Sequence, residues 1–404
     1  MSEETYEESQ PLWGDAYDAE SDLKLAQGHQ AVVTGTDWTV ETILSQMRRG
    51  NFDLSPKFQR RDAWDAVRKS RFIESLILQL PVPQIVLAEK ANARGQYIVL
   101  DGKQRLLAIQ QFASSSSLDS GMEEFRPLRL TGLDIRPELK SMSLANLEES
   151  VQFLDDLNSF LNQTIRTVVV RSWPDEDFLN LIFLRLNTGS VGLSPQELRQ
   201  ALAPGPFTEF LDAYASNSRP LKKALNIQRP DFRMRDVEIA LRFFAFDFFL
   251  ENYQGNLKRF LDDTTLQLNI EWPRSKDDVE KSAKSLDAAI GCTLEIFGSN
   301  AFRRWTTDGY QRNFNRAVFD TMTYYFKSTD VRERALAKPS AVERAFQNLN
   351  TSDADFNNSI QTTTKTLTAT LTRLQKWGHT LEQTLDIALP ALDDVEQLME
   401  KHRQ

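Results

Sequence analysis

The sequence predicts an α+β protein in which a small mixed sheet with flanking helices is followed by an all-helical C-terminal region. Three observations predict this fold class. Thr164–Arg171 is a run of β-branched residues, which is typical of a strand. Two short apolar runs, residues 84–89 and 96–100, are separated by a polar loop, as in paired strands. Residues 236–404 contain no convincing strand pattern.

Helices are predicted around these strands from the spacing of apolar residues. Thr39 is suited to an N-cap, and a helix follows it that Gly50 ends; its apolar face is Val40, Ile43, Leu44 and Met47. A second amphipathic helix stops before Pro81, because proline cannot continue a helix; its apolar face is Ile73, Leu76, Ile77 and Leu80. Residues 125–130 are a further strand candidate, and residues 175–186 favour a further helix.

Helix signals dominate the rest of the chain. Ser194 and Glu197 supply the two partners of a capping box, with a proline at the first helical position between them. Six aromatic residues between Phe243 and Tyr253 crowd one helix, and we interpret them as core rather than as a surface that stacks on bases. The apolar spacing over residues 356–377 predicts one long helix.

The composition is that of a globular protein with about two to three folding units in 404 residues. No run of about 18 apolar residues exists and the N-terminus is acidic, so we expect no membrane insertion and a cytoplasmic location. A single cysteine, Cys292, excludes an intramolecular disulfide, and we expect it to pack as a small apolar residue. Three scattered histidines leave a zinc site without ligands, and we assign no metal site.

The formal charge of −9 is unevenly distributed. Residues 1–23 hold eight acidic residues and no Lys or Arg, which predicts a disordered acidic tail. Residues 48–105 hold twelve Lys or Arg against six acidic residues. Such a cluster can bind phosphates whatever the net charge is, although basic residues on helices are more often a solvated face.

The turn from Asp101 to Arg105 is the strongest candidate for a site. An apolar strand passes through Asp-Gly directly into a helix that opens with Lys103, Gln104 and Arg105. Cations in a first helical turn oppose the helix dipole, whereas the backbone N–H groups there favour an anion and Gly102 allows close approach. The pattern predicts a phosphate site, in which Asp101 would orient the arginine or hold a divalent cation. The alternative is a tight turn with solvated cations.

Several standard active sites are excluded. The turn is not a Walker A loop, because Tyr97 stands where the first glycine should be and Gln104 replaces the Ser or Thr that holds magnesium. The chain has no zinc-protease histidine pair and no Gly-x-Ser-x-Gly elbow. The segment Asn187, Thr188, Gly189 could add neutral donors, or it could be a helix C-cap.

Five motifs, in this order along the chain, resemble the DUF262 family, the N-terminal domain of GmrSD-type modification-dependent restriction proteins. The resemblance covers about residues 36–250 well and extends more loosely to about residue 330. The motifs are Phe58-Gln59-Arg60-Arg61 with Trp64, Arg71-Phe72-Ile73-Glu74-Ser75-Leu76, Leu80-Pro81-Val82-Pro83, Asp101-Gly102-Lys103-Gln104-Arg105, and residues 183–189 with residues 193–199.

The resemblance implies a core similar to ParB and sulfiredoxin, in which the Gly-x-x-Arg turn binds nucleotide phosphates. It implies an NTP as the ligand, with Mg²⁺ as a second candidate, and a role in bacterial anti-phage defence. The implied nucleotide and phosphate ligands are Gln59, Arg60, Arg61, Gly102, Lys103, Arg105, Asn187, Thr188 and Gly189. Asp101 and Gln104 are the implied catalytic residues. The family often has Gln at the position of Lys103, so the resemblance specifies phosphate binding better than hydrolysis.

Restriction members of the family carry a His-Asn-His nuclease domain, and the surroundings of His379 and His402 do not match one. We therefore expect a regulatory NTP-binding protein, and the sequence leaves open whether it hydrolyses the NTP. Its expected partners are DNA and either a separate effector nuclease or, in a homo-oligomer, a second copy of the chain. The alternative is a DNA-binding module that contacts phosphates through the same basic surface. We divide the chain into an acidic tail (1–35), an α/β domain (36–172), a helical part (173–330) and a C-terminal helical extension (331–404).

Overall fold

The structure, a computed structural model, describes residues 31–52, 64–90, 93–114, 116–117, 127–173, 178–179, 182, 194–231, 233–361 and 364–402. These residues divide into two compact units. The N-terminal unit comprises the described residues up to Leu202 together with Asp231–Met234. The C-terminal unit comprises Ala203–Pro230 and the described residues from Arg235 onward.

A four-stranded mixed sheet forms the centre of the N-terminal unit. Its strands lie in the order β1-β4-β2-β3, so that β4 pairs antiparallel with β1 and parallel with β2, and β2 pairs antiparallel with β3. The strands are β1 (Val32–Thr39), β2 (Ile85–Lys90), β3 (Ala93–Asp101) and β4 (Thr164–Arg171). The strand predicted at Thr164–Arg171 and the mixed α/β fold class are confirmed.

The sheet is buried on both faces because alternate residues of its strands point to two apolar clusters. Leu87, Val99 and Val169 belong to the larger cluster. This cluster also contains apolar side chains of the first five helices of the unit. Ala88 and Val170, each one residue further along, belong to the smaller cluster with Leu100 and Leu198. This two-sided burial explains the continuous apolar stretches at the start of β2 and near the end of β3.

Six α-helices are described in this unit: α1 (Val40–Arg48), α2 (Ala66–Ile77), α3 (Lys103–Ala113), α4 (Leu144–Glu149), α5 (Leu154–Asn162) and α6 (Pro195–Leu202). The predicted caps are confirmed at two of them. The Thr39 side chain accepts a hydrogen bond from the Thr42 N–H at the start of α1. At α6, Ser194 and Glu197 form both hydrogen bonds of the capping box.

Three features of this unit differ from the sequence predictions. β1 was not predicted, and it begins at Val32, inside the segment that we assigned to the tail. Residues 127–130 form no strand, although residues 125–130 were a strand candidate. Leu80, which we placed on the apolar face of α2, lies beyond the end of that helix and is 43% exposed.

The C-terminal unit consists of ten helices and one β-hairpin in its described residues. The helices are α7 (Pro206–Asn217), α8 (Arg219–Leu225), α9 (Arg235–Phe249), α10 (Leu257–Phe297), α11 (Arg316–Phe326), α12 (Thr329–Ala337), α13 (Pro339–Ser352), α14 (Ala354–Gln361), α15 (Leu367–Leu385) and α16 (Pro390–Lys401). The hairpin consists of β5 (Arg303–Thr306) and β6 (Gly309–Phe314).

The hairpin shows that our prediction of an all-helical C-terminal region was wrong. The long helix predicted over residues 356–377 is two helices, α14 and α15, and the second begins after Thr366, whose side chain caps it. The interpretation of the aromatic helix as core is confirmed for Phe243, Phe244 and Phe246, which are buried on α9, and Tyr253 is buried beyond the end of this helix. Cys292 is buried as expected. None of the described helices is both long enough and apolar enough to cross a membrane.

Candidate functional site

The turn between β3 and α3 has a backbone that only glycine adopts without strain. Asp101 ends β3 and Lys103 begins α3, and between them Gly102 has a φ of 100°. A Cβ at Gly102 would lie 3.0 Å from Ile85 Cγ1 and 3.4 Å from Arg105 Nε. The glycine therefore allows both the left-handed turn and the close approach of the Arg105 side chain to the main chain.

The first turn of α3 has backbone N–H groups without a hydrogen-bond acceptor in the described part of the chain. Gly102 offers no side chain to cap the helix, and the carboxylate of Asp101 accepts a hydrogen bond from the N–H of Gly102 instead, at 2.8 Å. Among the described residues, nothing accepts a hydrogen bond from the backbone N–H of Gln104 or Arg105. Uncapped N–H groups at a helix start, together with the helix dipole, favour an anion at this place.

Arg105 is a buried cation that Asp101 holds in position. Its guanidinium Nη2 donates to the carbonyl oxygen of Gln84 and to Asp101 Oδ2, both at 2.9 Å. Its Nε is buried and finds no acceptor among the described residues. Of the two roles that we considered for Asp101, the structure shows the orienting one. A buried guanidinium that is only partly bonded is a costly arrangement, and it retains capacity for an anionic ligand.

Lys103 faces a carboxylate from the start of α6. Its Nζ lies 3.6 Å from Glu197 Oε1, and both side chains are almost completely buried. The other oxygen of Glu197 accepts the Ser194 N–H at 2.6 Å, which is one half of the capping box. The fold thus brings together two motifs that lie about ninety residues apart, and one carboxylate serves both. The sequence predicted Glu197 as a cap and missed its pairing with Lys103.

Gln104 connects the turn to the start of α2. Its side-chain Oε1 accepts a hydrogen bond from the Trp64 N–H at 3.3 Å. The Trp64 ring lies edge-on to Phe72, and the Arg68 guanidinium lies 5.0 Å from its centre. Gln104 is therefore held through its oxygen, which leaves its amide nitrogen as the donor that it can offer to a ligand.

A second buried cation, Lys69, lies on α2 and was missed by the sequence analysis. Its Nζ donates to Gln111 Oε1 at 2.8 Å, and burial lowers the pKa of Lys69 to about 8. Gln111 is seven residues, or two helical turns, further along α3 than Gln104, which corresponds to about 10 Å. We therefore interpret Lys69 as a link between α2 and α3 and not as part of the turn.

Six of the predicted ligands lie outside the described residues. They are Gln59, Arg60, Arg61, Asn187, Thr188 and Gly189. Arg61 precedes Trp64 by three residues in the sequence, and Gly189 precedes Ser194 by five. The described part of the chain contains no group of three or more His, Cys, Asp or Glu side chains that could hold a metal ion.

The fold and this turn define a class of protein domain: a small mixed sheet between helices, with a charged glycine turn at a strand-to-helix junction. Residues 40–203 match the family described as GmrSD restriction endonuclease, N-terminal domain. These residues are similar to that domain, and the similarity suggests an association with restriction systems. Comparison with curated proteins and with solved structures gave no significant match. The similarity of the core to ParB and sulfiredoxin stays a prediction.

Proposed function

We propose that the protein is a nucleotide-binding regulatory component of a bacterial restriction-type defence system, and that the turn from Asp101 to Arg105 binds the phosphates of an NTP. One observation carries this proposal. Arg105 is buried beside an uncapped helix start, and its Nε has no acceptor among the described residues. Backbone N–H groups, a guanidinium and a glycine at one place are the groups that bind phosphate in proteins.

The carboxylates of the site explain how the cations are tolerated without a ligand. Asp101 neutralises Arg105 and Glu197 neutralises Lys103. We propose that an incoming phosphate displaces Glu197 from Lys103, because the ion pair at 3.6 Å is longer than a direct hydrogen bond. Asp101 stays in place, since its two oxygens hold Gly102 and Arg105.

The remaining predicted ligands belong to the same proposal. Gln59, Arg60 and Arg61 would reach the phosphates from the segment before Trp64, which is bonded to Gln104. Asn187, Thr188 and Gly189 would approach from the segment before Ser194, which is bonded to Glu197. These two contacts support the proposal, because Trp64 and Ser194 follow the two segments closely in the sequence.

For hydrolysis, which is part of the proposal, the chain offers one positioning residue and one donor. Asp101 would hold Arg105 against the phosphates, and the amide nitrogen of Gln104 would orient a water molecule. Both oxygens of Asp101 are engaged, so the described residues do not fit a resident Mg²⁺ site, and Mg²⁺ would arrive with the nucleotide. The effect on DNA would come from a separate nuclease or from a second copy of the chain.

The test is binding of each NTP with Mg²⁺ to the full-length protein, measured by calorimetry and by thermal shift. A ligand at about 100 times its Kd stabilises a protein by roughly 2.7 kcal/mol. We expect Arg105→Ala to lose this binding. The matched control is Arg94→Ala, which removes an exposed arginine from the same strand-turn-helix segment and leaves the turn intact.

Two results would contradict the proposal. One is unchanged NTP affinity in Arg105→Ala, with circular dichroism showing a folded protein. The other is a wild-type protein that responds to no NTP but retains DNA with an affinity that falls linearly with the logarithm of the salt concentration. The turn itself would be a DNA phosphate contact if Arg105→Ala then also reduced the salt slope. Arg105→Lys keeps the positive charge but removes the two parallel N–H donors of the guanidinium group. We expect this variant to remain folded and to bind NTP weakly.

A further inference from the structure

The β5–β6 hairpin, which we call the arginine hairpin (Arg303–Phe314), is anchored to the C-terminal unit by its aromatic residues. Phe314 is buried between Phe302 and Phe319, with ring centres 5.6 and 5.7 Å away. The Tyr310 hydroxyl donates to Glu343 Oε1 on α13 at 3.0 Å, and its ring lies edge-on to Trp305. The hairpin therefore has a fixed inner side, and only its outer side can bind a partner.

The pairing of the two strands contains a wide bulge. Arg303 pairs with Phe314 and Trp305 pairs with Tyr310, so three residues of β6 lie opposite Arg304 alone. Those three residues, Gln311, Arg312 and Asn313, are all exposed. Bulges redirect side chains and are frequent beside functional sites. This one places an exposed arginine and two exposed amides opposite the half-buried Arg304.

Three arginines of the hairpin lack an anionic partner. Within the described part of the chain, Arg303, Arg304 and Arg312 make no ion pair and no side-chain hydrogen bond. The Nε atom of Arg304 is buried without an acceptor, and burial lowers the pKa of this arginine. Other arginines of the same unit are paired: Arg242 and Arg373 with Asp320, and Arg316 with Glu238. The hairpin thus differs from these three arginines of the same unit, each of which has a carboxylate nearby.

The chemistry of this surface fits a nucleic acid. Guanidinium groups beside neutral amide donors are the side chains that contact the phosphate backbone. A membrane surface would require apolar side chains that insert, and none of the large apolar side chains exposed in the described residues lies on the hairpin. In a chain of net charge −9, a hairpin with three arginines and one acidic residue, Asp308, is a local exception.

We propose that the bulge of the arginine hairpin is a nucleic-acid contact, in which Arg304 and Arg312 bind backbone phosphates of duplex DNA and Gln311 and Asn313 add neutral hydrogen bonds. Arg303 supplies further positive charge beside the bulge. The contact reads no sequence, because guanidinium–phosphate bonds are independent of the bases. It is independent of the proposed nucleotide site, which lies in the other unit.

The experiment measures binding of fluorescently labelled duplex DNA to the full-length protein by anisotropy, between about 50 and 200 mM salt. We expect Arg304→Gln/Arg312→Gln to weaken binding about tenfold or more and to reduce the slope of log affinity against log salt by about two, one for each phosphate contact. The control is Arg259→Gln on α10, which removes an exposed cation of the same unit and should leave the slope unchanged.

The outcomes separate the two proposals. The double variant should keep the NTP response of the wild type, and Arg105→Ala should keep the salt slope for DNA. The hairpin proposal is overturned if the double variant binds DNA with the wild-type slope, or if the wild type binds no DNA. Arginine-dependent binding of a phosphorylated peptide without DNA binding would also overturn it. Circular dichroism and the melting temperature verify that the double variant is folded.

Discussion

At the scale of single residues, the turn from Asp101 to Arg105 shows which contacts a sequence can predict. The Asp101–Arg105 pair was one of two roles considered for Asp101, because the two residues are four apart across a helix start. Lys103–Glu197 and Gln104–Trp64 could not be predicted, because both join segments that meet only through the fold of the sheet. The capping box already explained why Glu197 stands at this position, so nothing in the sequence indicated its second contact, with Lys103.

The contact between Lys103 and Glu197 makes a prediction about affinity. Glu197→Gln removes the negative charge and keeps a side chain that can still cap α6. In the proposed function this carboxylate competes with phosphate for Lys103. We therefore expect the NTP Kd to fall by roughly three- to tenfold, or about 0.7–1.4 kcal/mol. Calorimetry at low salt measures this directly. An equal or larger Kd in a folded variant would show that Glu197 does not compete with the ligand.

At the scale of elements, the sequence predicted those helices and strands that have their own periodic pattern or caps. α1, α6 and β4 are examples, and their caps or β-branched runs are local signals. β1 was missed because only its central residues alternate, and its first two valines are exposed at the edge of the sheet. The arginine hairpin was missed because β5 has four residues and little apolar content, yet the Asp-Gly at its turn was a usable hairpin signal.

The turn before α3 makes a prediction about stability. Gly102→Ala places a side chain at a φ of 100° and 3.0 Å from Ile85 Cγ1. We expect a loss of more than about 1–2 kcal/mol in the free energy of unfolding, because the contact with Ile85 adds to the cost of the left-handed backbone. We also expect weaker NTP binding. Urea denaturation and calorimetry measure the two effects.

Gly50→Ala is the matched control for this substitution. Gly50 also has a positive φ, of 68°, but nothing lies within 4 Å of the position where its Cβ would be. We expect a smaller loss of stability and no change in NTP affinity. If Gly102→Ala matched this control in both measurements, the position of the added Cβ would be neither crowded nor close to the ligand.

At the scale of the whole molecule, each unit has its own means of joining its elements. In the N-terminal unit the sheet joins helices on both of its faces. In the C-terminal unit a buried ionic cluster joins three helices: Asp320 on α11 accepts two hydrogen bonds from Arg242 on α9 and lies 3.7 Å from Arg373 on α15. Arg373 also donates to the Thr364 carbonyl oxygen at 2.8 Å. The division into units and the cluster are properties of long-range packing, which sequence periodicity does not contain.

The ionic cluster makes a prediction for the C-terminal unit. Asp320→Ala leaves two buried guanidinium groups without their carboxylate, and we expect a loss of about 3–5 kcal/mol in the free energy of unfolding. Urea denaturation followed by circular dichroism measures this loss. The control is Asp330→Ala, which breaks an exposed pair with Arg334 and should cost less than about 1 kcal/mol. If both variants lost a similar free energy of unfolding, the buried ionic cluster would contribute no more to stability than an exposed ion pair.

The two oxygens of Glu197 connect the start of α6 with the turn from Asp101 to Arg105. One oxygen holds the first turn of the helix and the other faces Lys103. Whatever changes the position of this carboxylate therefore changes both, and linkage requires the effect to be equal in the two directions. If phosphate binding loosens the cap of α6, then any partner that tightens this cap must weaken phosphate binding by the same factor. Under the proposed function, a single side chain would therefore couple occupancy of the turn to the cap of α6.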